Sequence, residues 1–318
     1  VVGTHALFQE EVRYRNLALV IIDEQHRFGV HQRLALKQKG LSSGVVPHQL
    51  IMTATPIPRT LAMSAYADLD TSIIDELPPG RTPVKTVVVE SSRRPEVVDR
   101  VRHACREGRQ VYWVCTLIEE SEVLQCQAAE ETAEQLKLFL PDVAIGLVHG
   151  RLKPAEKADI MDRFKQGQLQ VLVATTVIEV GVNVPNASVM IIENPERLGL
   201  AQLHQLRGRV GRGCTESFCL LMYQKPLSKL GRERLDIMRQ TNDGFVIAEK
   251  DLHLRGPGEV LGTRQTGEMS FRIADLLRDE GLLEDSKQLA HVLLEKDPQR
   301  GERLIHRWLG NAAQYGEV

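Results

Sequence analysis

From residue 84 onward, short apolar runs recur at regular intervals, and polarity does not alternate within them. Residues 111–115 read Val-Tyr-Trp-Val-Cys, residues 171–174 Val-Leu-Val-Ala and residues 189–192 Val-Met-Ile-Ile. A strand with one wet face alternates apolar and polar residues with period two. Runs that are apolar at every position belong inside a sheet covered on both sides. Strands covered in this way are joined by helices that cross the faces, and such strands are parallel. The spacing predicts strands at 86–89, 111–115, 144–148, 171–174, 189–192 and 218–222, and helices at 97–106, 128–139, 154–165 and 200–206. Upstream, residues 17–22 and 49–52 read as two more strands around a helical stretch at 32–39. Between the two sets lies Leu77-Pro78-Pro79-Gly80-Arg81-Thr82-Pro83, whose prolines and glycine break and stiffen the chain as an interdomain linker does. The expected fold class is α/β, with parallel sheets covered by helices. It has a partial lobe over 1–78, a complete lobe over 79–224 and a helical, charged region over 225–318.

A chain of 318 residues has room for two domains or more. Its net charge of -2 neither selects nor excludes a nucleic-acid partner, because a phosphate backbone is tracked by a local basic groove. Aromatic residues make up only 4%, so no stacking platform for single strands stands out. The five cysteines show no C-x-x-C spacing, which argues against a metal knuckle or disulfide framework and for reduced thiols in the cytosol. No apolar run approaches the ~20 residues of a membrane span. The first residue is not methionine, no signal peptide is evident, and the opening reads as the interior of a domain, as expected of a fragment.

Two segments carry chemistry. The apolar run 17–22 ends directly in Asp23-Glu24-Gln25-His26. The carboxyl end of a buried parallel strand is where a metal ligand and a base can be delivered into a cleft; an acidic surface turn is the plainer alternative. Residues 203–213 read Leu-His-Gln-Leu-Arg-Gly-Arg-Val-Gly-Arg-Gly. Gly208 and Gly211 would each cost a helix roughly 1 kcal/mol against alanine, so this is no ordinary solvated helix. Fork-shaped guanidinium donors on a backbone that can come close suit a polyphosphate.

Four segments, in this order, resemble the motifs of superfamily-two helicases. They are Asp23-Glu24-Gln25-His26 (motif II), Thr53-Ala54-Thr55-Pro56 (motif III), residues 175–182 (TTVIEVGV, motif V) and residues 205–212 (QLRGRVGR, motif VI). Residues 23–30 (DEQHRFGV), 53–60 (TATPIPRT) and 255–267 (RGPGEVLGTRQTG) narrow the match. The chain resembles the C-terminal half of the RecG family of branch-migration DNA helicases along essentially its whole length.

The resemblance implies RecA-like lobes, ATP and Mg²⁺ as cofactors, and branched DNA as substrate, at stalled forks and Holliday junctions. It also implies a monomer of the bacterial cytoplasm and nucleoid, without a membrane partner, that meets single-strand binding protein. By the same resemblance Asp23 holds Mg²⁺ and Glu24 orients and deprotonates the attacking water. Gln25 and His26 sense the γ-phosphate, and Thr53 and Thr55 relay between the ATP cleft and DNA. Arg209 and Arg212 are the arginine fingers, Gln205 orients water, and Arg207 either joins them or braces motif II. Gly181 and Asn183 belong to the nucleotide site. Asparagine stands where the family carries aspartate, so an acceptor for a ribose hydroxyl is kept and the charge is lost. Thr4, His5, His149, Arg151, Thr175 and Thr176 grip DNA phosphates. A helical hairpin within 227–254 passes lobe motion to DNA through Arg255, Arg264 and Gln265; a flexible connector is the alternative.

A hydrolysing lobe also needs the phosphate loop G-x-x-x-x-G-K-[ST], and no Gly-Lys pair occurs in this sequence. The loop, with its lysine, is therefore expected on a preceding part together with the fork-splitting wedge. The chain alone is expected not to hydrolyse ATP, and residues 1–78 to be its least stable part. Two other functions stay open from the residues: a transcription-repair coupling translocase and a non-hydrolysing DNA-binding fragment.

Overall fold

In the strand Gln110–Val114, Tyr112 and Val114 pack into one apolar cluster, whereas Val111 and Trp113 pack into another on the opposite side. Such a strand must be covered on both faces. The computed structural model describes residues 1–9, 11–24, 47–53, 70–116, 122–176, 184–213, 215–255 and 278–309. Their strands are β1 (Leu19–Ile22), β2 (His48–Ile51), β3 (Lys85–Glu90), β4 (Gln110–Val114), β5 (Ile145–Val148), β6 (Val171–Ala174), β7 (Ala187–Glu193) and β8 (Phe218–Tyr223). Their α-helices are α1 (Arg94–Arg106), α2 (Glu122–Phe139), α3 (Pro154–Lys165), α4 (Leu200–Arg207), α5 (Lys229–Gln240), α6 (Gly244–Arg255), α7 (Leu283–Lys296) and α8 (Pro298–Leu309).

The chain divides into two compact units. One comprises Leu69–Ile273 with Ile57–Arg59 and holds a six-stranded sheet of order β3-β8-β7-β4-β6-β5, all pairs parallel. The chain leaves β4 for the β5 edge, returns through β6, and crosses to β7 and β8 on the other side. A strand order that turns about a central strand opens a crevice at the carboxyl ends, here those of β4, β6 and β7. Two of these ends are tied together. Thr116 Oγ1 donates to the carbonyls of Glu193 (2.5 Å) and Asn194 (3.0 Å), and Asn194 Nδ2 donates back to the Thr116 carbonyl at 3.1 Å. The Gln110 carboxamide, buried at the other end of β4, donates to the carbonyls of Phe164 and Leu169 at 2.5 and 2.8 Å.

Local punctuation sets the helices. Pro154 opens α3 while Glu156 Oε2 accepts the Lys153 N–H at 3.0 Å, and Gly167, at φ +75°, follows its end. Ser228 Oγ caps α5 by accepting the Gly231 N–H at 3.0 Å. Arg234 Nη1 holds α5 to the turn before α4 through the carbonyls of Glu196 (3.3 Å) and Leu198 (3.1 Å). Helices α5 and α6 both lie within the same unit as the sheet.

The other unit comprises Val1–Pro56, Thr60–Asp68 and Ala274–Val318. In it β1 and β2 form a parallel pair with Leu19 opposite His48. Only Val20 and Ile22 of β1 are buried; Leu19 and Ile21 are 54% and 57% exposed. A run of six apolar residues predicts burial on both faces, but this pair covers one. Helices α7 and α8 follow each other across Asp297, whose Oδ1 accepts the Arg300 N–H at 3.1 Å. Among the described residues no helix is long and apolar enough to cross a membrane.

Phe164 is fully buried, its ring 5.0 Å from that of Tyr112. Phe164→Ala is expected to cost about 3–5 kcal/mol through the cavity it leaves. Thermal denaturation of the 69–273 unit should record a fall in midpoint on the order of 10 °C.

Candidate functional site

Helix α4 begins where the Gly199 N–H donates to Gln202 Oε1 at 3.2 Å, and it gives way at Gly208. Its last residue, Arg207, is only 3% exposed. A guanidinium tolerates burial when its N–H groups find acceptors. Arg207 Nη1 donates to the carbonyls of Met238 and Thr241, both at 2.9 Å, and to Thr86 Oγ1 at 3.3 Å. Met238 and Thr241 lie at the carboxyl end of α5, where unpaired carbonyls favour a cation. Arg207 Nη2 lies 3.1 Å from His204 Nδ1. Arginine has no acceptor, so Nδ1 must accept and the ring proton belongs on Nε2. Burial, reinforced by the Arg207 charge, pushes the His204 pKa down to about 4. Of the two roles open to Arg207, the geometry favours a brace, and its described partners lie on α4, α5 and β3.

The rest of the loop meets the linker. Arg81 Nε donates to the Gly211 carbonyl at 3.0 Å and Arg81 Nη2 to the Gly208 carbonyl at 3.3 Å. Gly211 adopts φ +75°, and a Cβ there would lie 2.8 Å from Val84 Cγ2, so both backbone and packing require glycine. Arg212 is exposed, and its Nε donates to the same Gly208 carbonyl at 3.4 Å.

Thr176, Gln202, Gln205, Leu206 and Arg209 line one pocket. Thr176 comes from the end of β6, and the others from α4 and the residues after it. The described start of motif V therefore meets motif VI, and among the described residues the lining offers a hydroxyl, two carboxamides and a guanidinium. Each of these groups can donate a hydrogen bond to a phosphate oxygen. Tyr112, beneath it in the sheet, has its phenol pushed up to about 12 by burial, against the opposing fields of Arg212 and Arg209.

Other expected residues are placed differently. His149 and Thr175 follow the paired strand ends Val148 and Ala174 and are buried. His149 Nε2 lies 3.4 Å from Glu130 Oε1. Arg151 is exposed, as is Thr4. In the other unit, Asp23 and Glu24 end β1. The Glu24 N–H donates to Asp23 Oδ1 at 2.9 Å, with Glu24 at φ +55°. A non-glycine residue held left-handed costs about 1–2 kcal/mol, and such positions concentrate at functional sites. Thr53 follows β2 and is exposed. His5 lies in the short helix His5–Phe8, and Arg255 ends α6. Gln25, His26, Thr55, Gly181, Asn183, Arg264 and Gln265 lie outside the described residues, as does the stretch 32–39.

Sequence reading missed Gln202 and Arg81. Gln202 carried a signal, since Gln three residues into a helix often returns to the capping N–H. Arg81 carried none, because its acceptors lie 127 and 130 residues away.

Arg207→Ala would take the guanidinium donor from the Met238 and Thr241 carbonyls at the end of α5, a loss on the order of 3 kcal/mol. The melting temperature should fall by about 6–12 °C, while Arg212→Ala at its exposed position moves it by less than about 2 °C. His204 gives a pH signature. The fold favours the neutral ring, so this contribution is complete above pH 6.5 and is lost as pH falls from 6.5 toward about 4. Melting curves of His204→Gln should therefore converge on those of the parent over that interval; a constant offset at every pH would refute it.

Residues 94–214 match the family model of the helicase conserved C-terminal domain, and residues 241–306 that of ATP-dependent DNA helicase RecG, domain 3, C-terminal. ATP-dependent DNA helicase RecG of Escherichia coli strain K12 is 67% identical over 100% of this chain and 46% of its own length. The Aquifex aeolicus strain VF5 protein of the same name is 51% identical over 93% of this chain and 38% of its own. The chain thus spans about half the length, or less, of these curated relatives. A solved structure described as RecG bound to a three-way DNA junction superposes with a TM-score of 0.66 at 46% identity, covering 89% of this chain and 36% of that one. The DNA-bound DUF1998 helicase MrfA, at 18% identity and a TM-score of 0.53, agrees in fold alone. With both family models and the identity along the whole of this chain pointing the same way, the chain belongs to the RecG family of helicases, of which it matches about the C-terminal half.

Proposed function

We propose that this chain is the motor half of an ATP-dependent double-strand DNA translocase that remodels stalled forks and Holliday junctions in recombination and repair. The convergence of Thr176, Gln205 and Arg209 in one pocket, next to the loop that carries Arg212, supports this reading most directly. In this reading residues 1–78 belong to the first RecA-like lobe, 79–224 form the second, and 225–318 hold the translocation hairpin and last helices.

Arg209 and Arg212 would contact ATP, and Gly181 and Asn183 would belong to the nucleotide site. The two guanidiniums meet charge that grows on the transferred phosphoryl group. Gln205 aligns the attacking water and Glu24 takes its proton. The Asp23 carboxylate, whose Oδ1 accepts the Glu24 N–H, would hold Mg²⁺, and the ion when bound would offset charge on the phosphates. Thr4, His5, Arg151 and Thr176 contact DNA phosphates, and the buried His149 and Thr175 set the backbone from which the last two project. Contacts of this kind read no bases, so travel is independent of sequence. Gln25, His26, Thr53, Thr55, Arg255, Arg264 and Gln265 couple hydrolysis to movement. The protein works as a monomer in the bacterial cytoplasm and nucleoid and meets single-strand binding protein at forks.

ATP turnover with and without a model fork is the test. Residues 1–318 alone should bind the fork without turnover. In the full-length protein Arg212→Ala should lower kcat by about 10³ or more. Fork-stimulated turnover by residues 1–318 alone would mean that another cation replaces the phosphate loop, and this account of the ATP site would be wrong.

A further inference from the structure

Within the six-stranded unit, the segment Gly80-Arg81-Thr82-Pro83-Val84 that leads into β3 meets the arginine loop at three points. Arg81 donates to the Gly211 carbonyl from Nε and to the Gly208 carbonyl from Nη2, and Val84 packs on Gly211. The two carbonyls bracket Arg209, and Gly211 directly precedes Arg212. Two donors of one planar group, fixed on carbonyls three residues apart, define the orientation of the backbone between them. Arg212 also donates to the Gly208 carbonyl, so two like charges converge on one oxygen. They repel, and an anion bound at the loop relieves that repulsion. Burial, and then Arg212, hold the Arg81 guanidinium below its ordinary pKa.

We infer that Arg81 is a positioning residue for ATP turnover: from the segment that leads into β3 it sets the backbone that aims Arg209 and Arg212. The inference rests on the reading of those two arginines as phosphate contacts. A lysine at this position supplies one rotatable ammonium that can satisfy one carbonyl but not hold the plane.

The experiment is steady-state ATP turnover by the full-length protein at saturating fork DNA, with Arg81→Ala, Arg81→Lys, Arg209→Ala and Arg212→Ala compared. Arg81→Ala should lower kcat by about tenfold or more, with KM for ATP and fork affinity within about threefold of the parent. Arg81→Lys should recover part of the loss, and both variants should melt within about 3 °C of the parent. Unchanged kcat in Arg81→Ala, with Arg212→Ala inactive, would overturn the positioning role and leave the finger assignment standing. A loss in which kcat, fork affinity and melting temperature fall together, without recovery by lysine, would reduce Arg81 to a structural brace and equally overturn it. Normal turnover by both Arg209→Ala and Arg212→Ala would remove the finger assignment itself, and the role of Arg81 with it.

Discussion

Strand β4 is withdrawn from water on both faces at once, Tyr112 and Val114 on one side and Val111 and Trp113 on the other. A backbone so placed must pair on both edges, and its side chains need apolar cover above and below. Helices supply the cover, so consecutive strands run parallel, and the chain turns about β4 to build outward in both directions. That turn puts the ends of β4, β6 and β7 around one crevice. Thr116, Thr175, Thr176 and Asn194 all sit just beyond those ends, and α4 follows the β7 end within a few residues. The chemistry of the unit is placed by the burial of a strand that takes no part in it.

The three arginines of the loop look equivalent in sequence, two or three residues apart and each next to a glycine. Their surroundings separate them. Arg207 is the last residue of a helix and faces the end of another, where four carbonyls lack intrahelical partners. There a buried cation is stabilised by hydrogen bonds, and removing it would strand those carbonyls. Arg209 shares a pocket with Thr176 and Gln205, and Arg212 is exposed. Neither of the last two is buried as Arg207 is. The neutral His204 beside Arg207 follows from the same arrangement, because a protonated ring would place one donor against another.

Legibility in the sequence followed local chemistry. Helix α3 runs over residues 154–165 as expected, since Pro154 and Gly167 mark its ends by backbone geometry alone. Helix α1 starts at Arg94, three residues before the periodic apolar positions, because Pro95 favours the first turn without showing in that pattern. Helix α2 starts at Glu122 rather than 128. Strand β1 is legible as a strand and not as a half-exposed one, since exposure depends on neighbours and not on the run itself. Among candidate site residues, Gln205, Arg209 and Thr176 could be read from motif spacing, but their meeting could not, because it needs β6 and α4 to share an edge of the crevice. Arg81 was hidden for the same reason at longer range.

The glycines of the loop also change meaning once packing is known. In sequence, glycine between arginines suggests room for a phosphate to approach the backbone. At Gly211 the close approach is made instead by Val84 of the linker, 2.8 Å from where a Cβ would stand, with the backbone at φ +75°. At Gly208 a Cβ would meet only the carbonyls of Gln205 and His204, at 3.3 and 3.4 Å. That glycine instead offers a carbonyl shared by Arg81 and Arg212. Both positions thus serve contact between linker and loop before they serve any ligand. A loop packed in this way cannot be re-aimed one side chain at a time. Its backbone is fixed as a piece, by Arg81 on two of its carbonyls and by Val84 against Gly211.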